Sequence, residues 1–210
     1  MMSLRMSRSD DMASDIPAVD SAVHLAVESG CGGTTFALQQ ARMVLEGDGM
    51  VVWVCFQQPD PDRFSQLFGV LPPATLARFH RLVAGEFMSQ GIDSARELAD
   101  SMSSIQLIVV DDWTPETGHV SAMTLASVAA LAGSDFADRG GILLVSAAYS
   151  DASGKQVDGG LKARGENRLS EFGFSTWWLQ TDESGVGRRR VRVGEEEIAL
   201  RLETEGFEKS

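Results

Sequence analysis

The chain has 210 residues, of which 43% are hydrophobic and 23% are charged, a size and composition that fit a single packed domain. Its formal net charge of −12 argues against a general nucleic-acid coat, because the phosphate backbone repels an acidic surface. Two cysteines are too few for a disulfide framework and no apolar run is long enough to span a membrane, so we expect a cytoplasmic protein.

The first half of the chain predicts an α/β fold, because short apolar runs alternate with stretches of helical spacing. Apolar runs at residues 50–56 and 105–110 are continuous, which is typical of central parallel strands covered on both faces. Pro61 is placed to open a short helix, and the region around Asp93 is predicted to cap a later one. Strands are predicted at residues 22–27, 50–56, 105–110 and 141–146, and helices at 34–45, 60–68, 91–102 and 120–132.

The last third of the chain has a different pattern and a different charge. Residues 1–150 carry 8 basic and 18 acidic groups, whereas residues 151–210 carry 10 and 12, so an anion-binding surface is expected in the later segment. Strands, predicted to be antiparallel, follow at residues 174–180, 188–193 and 197–203, after a polar, Gly-rich loop at 150–168. Residues 1–17 are predicted to form a disordered arm, and residues 18–210 a single core domain.

Composition leaves one question open. Lysine occurs only three times, so arginine supplies most of the positive charge. An acidic, arginine-rich chain is compatible with a salt-adapted host and equally with a GC-rich genome.

The turn after the first predicted strand resembles a phosphate-binding loop without its lysine. A P-loop reads G-x-x-x-x-G-K-[ST], and residues 27–35 read Val-Glu-Ser-Gly-Cys-Gly-Gly-Thr-Thr. In this frame Val27 takes the place of the first glycine and Gly33 the place of the lysine. Backbone amides at such a turn can still form an anion-binding nest, although an ordinary Gly-rich turn would look the same. The candidate nucleotide-binding residues here are Gly30, Gly32, Gly33, Thr34 and Thr35.

Two further strand ends complete a nucleotide-site pattern. The strand at residues 105–110 runs into Asp111, as in a Walker B strand whose aspartate positions Mg²⁺. The strand at residues 50–56 runs into Gln57, which can accept a hydrogen bond but is not a general base. Each feature alone is compatible with a polar strand end.

Taken in order, these motifs resemble the RecA/RadA recombinase core, and most closely the archaeal RadB paralogues. The resemblance covers the chain from about residue 20 to its end and implies a RecA-like core with a mainly parallel central sheet and antiparallel C-terminal strands. It rests on the loop at 30–35, Pro-Asp-Pro-Asp-Arg-Phe at 59–64, Val-Val-Asp-Asp at 109–112, Leu-Leu-Val-Ser-Ala-Ala-Tyr-Ser-Asp at 143–151, Gly-Gly at 159–160, and the segments at 187–193 and 199–207.

The departures from the family pattern fall on its catalytic groups. Gly33 replaces the P-loop lysine, Gln57 replaces the catalytic glutamate, and Ala147-Ala148 replace the Asn-Gln pair that senses the γ-phosphate. Three losses at separate sites imply a pseudo-ATPase with no catalytic residues and no bound cofactor. The family's Lys-His-Arg stretch and the N-terminal Phe-x-x-Ala element that joins RadA protomers are also missing, so a hetero-oligomer is expected rather than a filament.

The resemblance therefore implies an inactive recombinase paralogue that acts in homologous recombination and repair through protein contacts. Its expected partner is a recombinase or another recombinase paralogue, bound through the sheet edge and exposed apolar side chains. Candidate contact residues are Trp113 and the pair Phe64 and Phe68, although such aromatics also commonly pack in a core. Trp177 and Trp178 are adjacent on a strand and should point to opposite faces.

Three alternatives stay open from the sequence. The chain could bind ATP and Mg²⁺ weakly through the loop and Asp111, with an arginine supplied by a partner. It could bind single-stranded DNA through cations in the late loop and strand. It could also be a silent RecA-like subunit of an unrelated complex, as in Elongator or the SWIM-protein-associated recombination factor. The candidate DNA-binding residues are Lys155, Lys162, Arg164, Arg168, Arg188, Arg189 and Arg190.

Overall fold

A computed structural model of the chain describes residues 16–115, 118–150 and 160–210. The strands are β1 (Ala22–Val27), β2 (Met50–Cys55), β3 (Phe79–Val83), β4 (Ile105–Asp111), β5 (Gly141–Ala147), β6 (Tyr149–Ser150), β7 (Leu161–Lys162), β8 (Ser175–Thr181), β9 (Arg188–Val193), β10 (Glu196–Glu203) and β11 (Gly206–Lys209). The helices are α1 (Gly33–Glu46), α2 (Pro61–Phe68), α3 (Pro73–Leu76), α4 (Met88–Ser101), α5 (Ala122–Ala132) and α6 (Glu166–Glu171), with a short 3-10 turn at Gly85–Phe87. No helix in the described ranges has the length and apolar character needed to cross a membrane.

A nine-stranded sheet organises the molecule in the order β11-β10-β9-β8-β1-β5-β4-β2-β3. The strands from β8 to β3 in this order are parallel to one another, whereas β8, β9, β10 and β11 pair antiparallel. The carboxyl ends of β1, β4 and β5 therefore meet at one edge of the sheet, where α/β proteins place their ligand sites. A separate two-stranded ribbon pairs β6 with β7.

The core lies on both faces of the sheet, because alternate residues of the central strands point to opposite sides. On one face Leu25 and Val109 pack with Phe36 of α1. On the other face Ile108 packs with Ile92 of α4, and residues of α5 join the same cluster. Continuous apolar strands thus have helices on both sides, as the sequence predicted.

The predicted fold class is confirmed, and the main strands lie within a residue or two of their predicted bounds. Pro61 opens α2 as expected, with Asp60 as the N-cap accepting a hydrogen bond from the Arg63 amide at 2.8 Å. Trp177 and Trp178 do point to opposite faces, since they belong to different core clusters. Both side chains are buried, at 6% and 9% exposure.

Several boundaries were predicted wrongly. Helix α4 begins at Met88, so the predicted cap around Asp93 lies inside the helix. The described part of the predicted loop at 150–168 contains β7 and the start of α6. Ile16 is buried and the Pro17 carbonyl accepts a hydrogen bond from Gln40 at 2.7 Å, so these two residues belong to the core and not to an arm. The remainder of the predicted arm lies outside the described residues.

Two strands at the ends of the sheet had no counterpart in the prediction. Strand β3 reads Phe-His-Arg-Leu-Val and is only partly buried, so it lacks the continuous apolar run that marks a central strand. Strand β11 is four residues long and half charged. Edge strands of this kind give little sequence signal, because only one side of their backbone is paired.

Candidate functional site

The loop between β1 and α1 has the backbone geometry of an anion-binding nest. Gly32, at the N-cap of α1, adopts φ +91°, and Gly30 adopts φ +76°, which are left-handed conformations that favour glycine. The first amides of the 14-residue helix α1 follow directly. Backbone conformations of this kind occur in anion-binding nests.

Val27 packs beside Gly33, the residue that takes the lysine position of the motif. A Cβ atom added to Gly33 would lie 2.7 Å from Cγ2 of Val27 and 3.1 Å from Cγ1 of Val145. Carbon atoms in ordinary contact are separated by about 3.5–4.0 Å, so no side chain fits at residue 33 without movement of its neighbours. Val27 stands where a P-loop has its first glycine. The residues at these two positions of the motif therefore pack side by side.

Thr34 and Asp111 are brought together as the motif requires. The Thr34 hydroxyl donates to Oδ1 of Asp111 at 3.4 Å, across 77 residues of sequence. Asp111 is 4% exposed, and burial together with the neighbouring Asp112 carboxylate raises the pKa of Asp111 to about 7. A carboxyl group with such a pKa is largely protonated below neutral pH. The magnesium-binding position thus has a reduced negative charge.

The loop is fixed by contacts with β8 and β9. The carboxylate of Glu28 accepts a hydrogen bond from the Thr181 amide at 2.8 Å. Sγ of Cys31 lies 3.3 Å from the Thr181 hydroxyl, and burial raises the pKa of this thiol. Arg189 donates to the Gly30 carbonyl at 3.5 Å. These contacts hold the loop without any phosphate.

The C-terminal hairpin of β10 and β11 closes the other side of the loop. The ring of Phe207 packs on Gly32 and lies edge-on to Phe36, with ring centroids 6.1 Å apart. Both backbone polar groups of Phe207 bond to the Gln39 side chain, at 2.7 and 2.8 Å. Arg63 of α2 ties helix and hairpin together. It donates to the Thr35 hydroxyl at 3.0 Å, to Gln66 at 2.8 Å, and to the carbonyls of Glu203 and Thr204 at 3.1 and 2.6 Å.

The cavity over the nest is small and acidic. Its volume is about 200 Å³, below the roughly 300–1,000 Å³ that is usual for ligand pockets. Within the described part of the chain, its lining includes Glu28 and Asp112 but no lysine or arginine. Ala147, in one of the two predicted sensor positions, contributes only a methyl group, and Gln57 is exposed beyond the end of β2. The described lining is Val27, Glu28, Ser29, Gly30, Gly32, Gly33, Thr34, Asp112, Val145, Ser146 and Ala147.

A buried histidine behind this cavity was not anticipated. Nε2 of His24 and the hydroxyl of Ser146 are 2.8 Å apart, and the His24 ring lies edge-on to Trp113. His24 is completely buried, and burial lowers the pKa of this imidazole to about 3. The ring is therefore neutral and joins β1 to β5 behind the loop.

The predicted DNA-binding cations do not all lie on one face of the sheet. Arg189 faces α1 and the loop, as its contact with Gly30 shows, and Val191 belongs to the core on that same face. Arg188 and Arg190 alternate with it and point to the opposite face. Lys162 on β7, Arg168 on α6 and Arg164 between these elements lie near each other. Lys155 lies outside the described residues.

The aromatics predicted to contact a partner are core residues. Trp113 is 2% exposed and Phe68 is 1% exposed. Phe64 stacks on Phe68 with centroids 4.5 Å apart, and both contact Phe79. Trp113 and Phe68 are therefore not accessible to a partner in this fold, whereas Phe64 is partly exposed.

An exposed apolar surface lies instead at the free edge of β3. Phe56, Val83 and Phe87 are 49%, 56% and 64% exposed, although each is a large apolar side chain. They surround the carboxyl ends of β2 and β3, beside a groove of about 380 Å³ that separates β3 from the start of α4. Among the described strands, β3 pairs only with β2, so its other backbone side is unpaired within the sheet. The sequence predicted docking through a sheet edge and exposed apolar side chains but not this location, because β3 itself was missed.

Comparison with known proteins identifies the fold. No protein-family model and no curated protein matches the sequence. Among solved structures, the chain is similar to the crystal structure of the RadB recombinase, with a TM-score of 0.70, 18% identity, and coverage of 92% of each chain. It is also similar to a DnaB-like replicative helicase described with its primase interactions, with a TM-score of 0.62, 12% identity, and coverage of 90% of this chain and 57% of the helicase. The chain has a RecA-like fold, as its motifs indicated.

Proposed function

We propose that this chain is a recombinase paralogue without ATPase activity, which acts in homologous recombination and repair by binding another protein. The observation that carries the first half is the packing of Val27 beside Gly33. Gly33 takes the position of the P-loop lysine, and Val27 leaves no room there for a side chain. The similarity of the fold to RadB recombinase supports a recombinase-related role.

The residues present fit a nucleoside triphosphate with Mg²⁺ poorly. Phosphoryl transfer depends on cations that stabilise charge on the phosphates, and the described lining of the cavity contains two carboxylates and no cation. Burial and the Asp112 carboxylate raise the pKa of Asp111 to about 7, so this group is partly protonated at neutral pH and a divalent ion must displace that proton to bind there. Gln57, in the position of the general base, is an amide and cannot take up a proton from water. We therefore assign no hydrolytic step to this site.

The second half of the proposal concerns docking at the free edge of β3. An unpaired strand edge can accept an extended segment of another chain, with backbone hydrogen bonds providing affinity. Exposed apolar side chains at Phe56, Val83 and Phe87 supply the area that a partner would bury. The opposite edge, β11, is short and charged and so less suited to this use. The proposed occupant is an extended segment of a recombinase or of another recombinase paralogue.

Two measurements test the two halves separately. For catalysis, the purified chain is assayed for Mg²⁺-dependent phosphate release, and we expect none above a blank. Release that is abolished by Asp111→Asn would refute the pseudo-ATPase assignment. For docking, the host recombinase is captured on immobilised chain, and Val83→Glu is expected to remove capture. The matched control is Val186→Glu, at a fully exposed valine far from β3 in the sequence and the sheet.

The alternatives from the sequence have their own tests. Weak ATP binding predicts a rise in melting temperature with ATP that is larger with Mg²⁺ than without it. Single-strand DNA binding through the predicted cations predicts an affinity that falls steeply with salt. A role in an unrelated complex predicts that the chain co-purifies from its host with proteins other than recombinases.

A further inference from the structure

A second groove lies on the far side of the molecule from the β3 edge. It has a volume of about 440 Å³ and runs between the β6–β7 ribbon, α6 and the open face of β8 and β9. Its size is within the usual range for ligand pockets. It is separate from the nucleotide-type loop, because no described residue lines both cavities.

The rim of this groove is basic. Lys162, Arg168 and Arg192 line it, and Glu166 is the only carboxylate in the lining among the described residues. Arg168 also pairs with Glu171 at 3.0 Å, but the described lining still holds more cations than carboxylates on a chain whose net charge is −12. An arginine carries five N–H donors and a lysine three, so each can bind a carboxylate in addition to the contacts it already makes. The rim thus complements a short acidic segment.

The floor of the groove is apolar. Leu161, Ala163 and Trp178 line it, and Ala163 and Trp178 belong to one small core cluster. Trp178 is 9% exposed. Arg192 covers the face of Trp178 that is not in the core and Ala163 is buried, so the partly exposed Leu161 is the floor residue that an apolar side chain of a ligand would contact.

The Trp178 ring does not offer the exposed stacking face that bound bases need, although Tyr149 in the same groove is 39% exposed. Proteins that bind single strands stack bases on exposed aromatic faces within a basic groove. Here the guanidinium carbon of Arg192 lies 5.7 Å from the centre of the Trp178 ring, and that of Arg164 lies 5.0 Å from the Tyr149 ring. Both distances are typical of cation–π stacking, so a guanidinium already occupies one face of each ring. The other face of Trp178 packs in the core, so this ring offers no platform for a base.

The geometry points to a binding site for an acidic peptide segment of a partner protein, with carboxylates on the rim cations and one apolar side chain on the floor. This inference rests on the proposed role in protein contacts, but it uses a surface distinct from the β3 edge. A partner could therefore engage both surfaces at once, which would raise its apparent affinity.

The test is fluorescence anisotropy with a labelled peptide, Asp-Glu-Asp-Leu-Leu, and the full chain. Two control peptides replace the acids by amides (Asn-Gln-Asn-Leu-Leu) or the leucines by serines (Asp-Glu-Asp-Ser-Ser). We expect the parent peptide to bind and both controls to lose about tenfold or more in affinity. Lys162→Gln and Arg168→Gln should each weaken binding of the parent peptide by about tenfold, whereas Arg42→Gln, which removes a surface cation on α1, should leave it unchanged.

Each result decides the question. The side chain of Arg168 is 66% exposed, so its substitution tests the groove even if Lys162→Gln fails to fold. Absence of peptide binding, or binding that is unaffected by Arg168→Gln, would overturn the inference. Tighter binding of short oligothymidylate than of the peptide, lost in the same variants, would overturn it in favour of nucleic acid. Capture that is lost in Val83→Glu together with absent peptide binding would refute the groove alone, whereas capture that is unaffected by Val83→Glu together with intact peptide binding would refute the β3 proposal alone.

Discussion

The contact between Val27 and Gly33 predicts an energetic coupling that can be measured. In Gly33→Ala the new methyl group would lie 2.7 Å from a Val27 methyl, about 1 Å inside ordinary contact distance. Val27 cannot easily turn aside, because it is β-branched and sits in the buried strand β1. Overpacking of this kind costs about 1–3 kcal/mol, offset by up to about 1 kcal/mol from the higher helix propensity of alanine. We expect Gly33→Ala to lower the free energy of unfolding by about 1–2 kcal/mol.

The double variant decides whether this contact is the cause. Val27→Ala alone removes two buried methyl groups and should cost about 1.5–3 kcal/mol. In Val27→Ala combined with Gly33→Ala, the new methyl group occupies space that the valine vacated. The double variant should therefore be more stable than the sum of the single effects by about 1–2 kcal/mol.

Urea unfolding of the wild type, the two single variants and the double variant gives this coupling directly. The matched control pairs Val27→Ala with Gly133→Ala, since a Cβ at Gly133 meets only the Ala129 carbonyl at an ordinary 3.5 Å. That pair should be additive within about 0.5 kcal/mol. Additivity in the Val27 and Gly33 pair as well, or a Gly33→Ala variant as stable as the wild type, would refute the reasoning.

Three further outcomes follow from the site. The pKa of Asp111 is about 7 in the folded chain and near the ordinary 3.8 when the chain unfolds. As pH rises from about 4 to above 7, the free energy of unfolding of the wild type should therefore fall by roughly 4 kcal/mol relative to that of Asp111→Asn. A difference between the two in urea unfolding that does not change with pH would contradict this. Arg63→Ala should lower the free energy of unfolding by about 2–4 kcal/mol, because its hydrogen bonds to Thr35 and to the C-terminal hairpin are lost. Arg42→Ala, which removes one surface ion pair, should lower it by about 0.5 kcal/mol, and equal losses in urea unfolding would show that Arg63 does not hold the hairpin in place. Ser146→Ala should cost about 1–3 kcal/mol in thermal or urea unfolding, because it leaves Nε2 of the buried His24 unpaired, and an unchanged stability would show that this bond is dispensable.

The sequence predicted those parts of the fold whose physical signal is local. The continuous apolar runs of β2 and β4 and the glycines of the β1–α1 turn are visible in the letters, and they are where the structure has them. Strand β3 escaped prediction because half-exposed edge strands carry mixed polarity. The start of α4 was misplaced because Gly91 suggested a boundary, whereas it lies within the helix.

In the candidate site too, features with a local sequence signal could be predicted and contacts between distant segments could not. Thr34 and Asp111 could be paired from the motif order, because each ends or follows a recognisable strand. Strand alternation alone is enough to predict that Arg189 points to the opposite face from Arg188 and Arg190. The contact of Arg189 with the loop cannot be predicted without the strand order of the sheet. Contacts between segments far apart in sequence, such as Arg63 with the C-terminal hairpin, carry no local pattern at all.

These contacts bear on how such a loop keeps its shape without a nucleotide. In a working P-loop, phosphate and a lysine supply charge that holds the turn together. Here Arg189 and Phe207 contact the turn from neighbouring strands, Glu28 within the turn accepts a hydrogen bond from Thr181 of β8, and Val27 fills the space beside Gly33. A loop that is held by the protein alone needs no ligand in order to fold. The fold can then present constant surfaces at β3 and beside α6, whereas in an ATPase such surfaces can vary with the bound nucleotide. Constant surfaces suit a docking protein, so contacts that support the turn from within the protein are consistent with the proposed function.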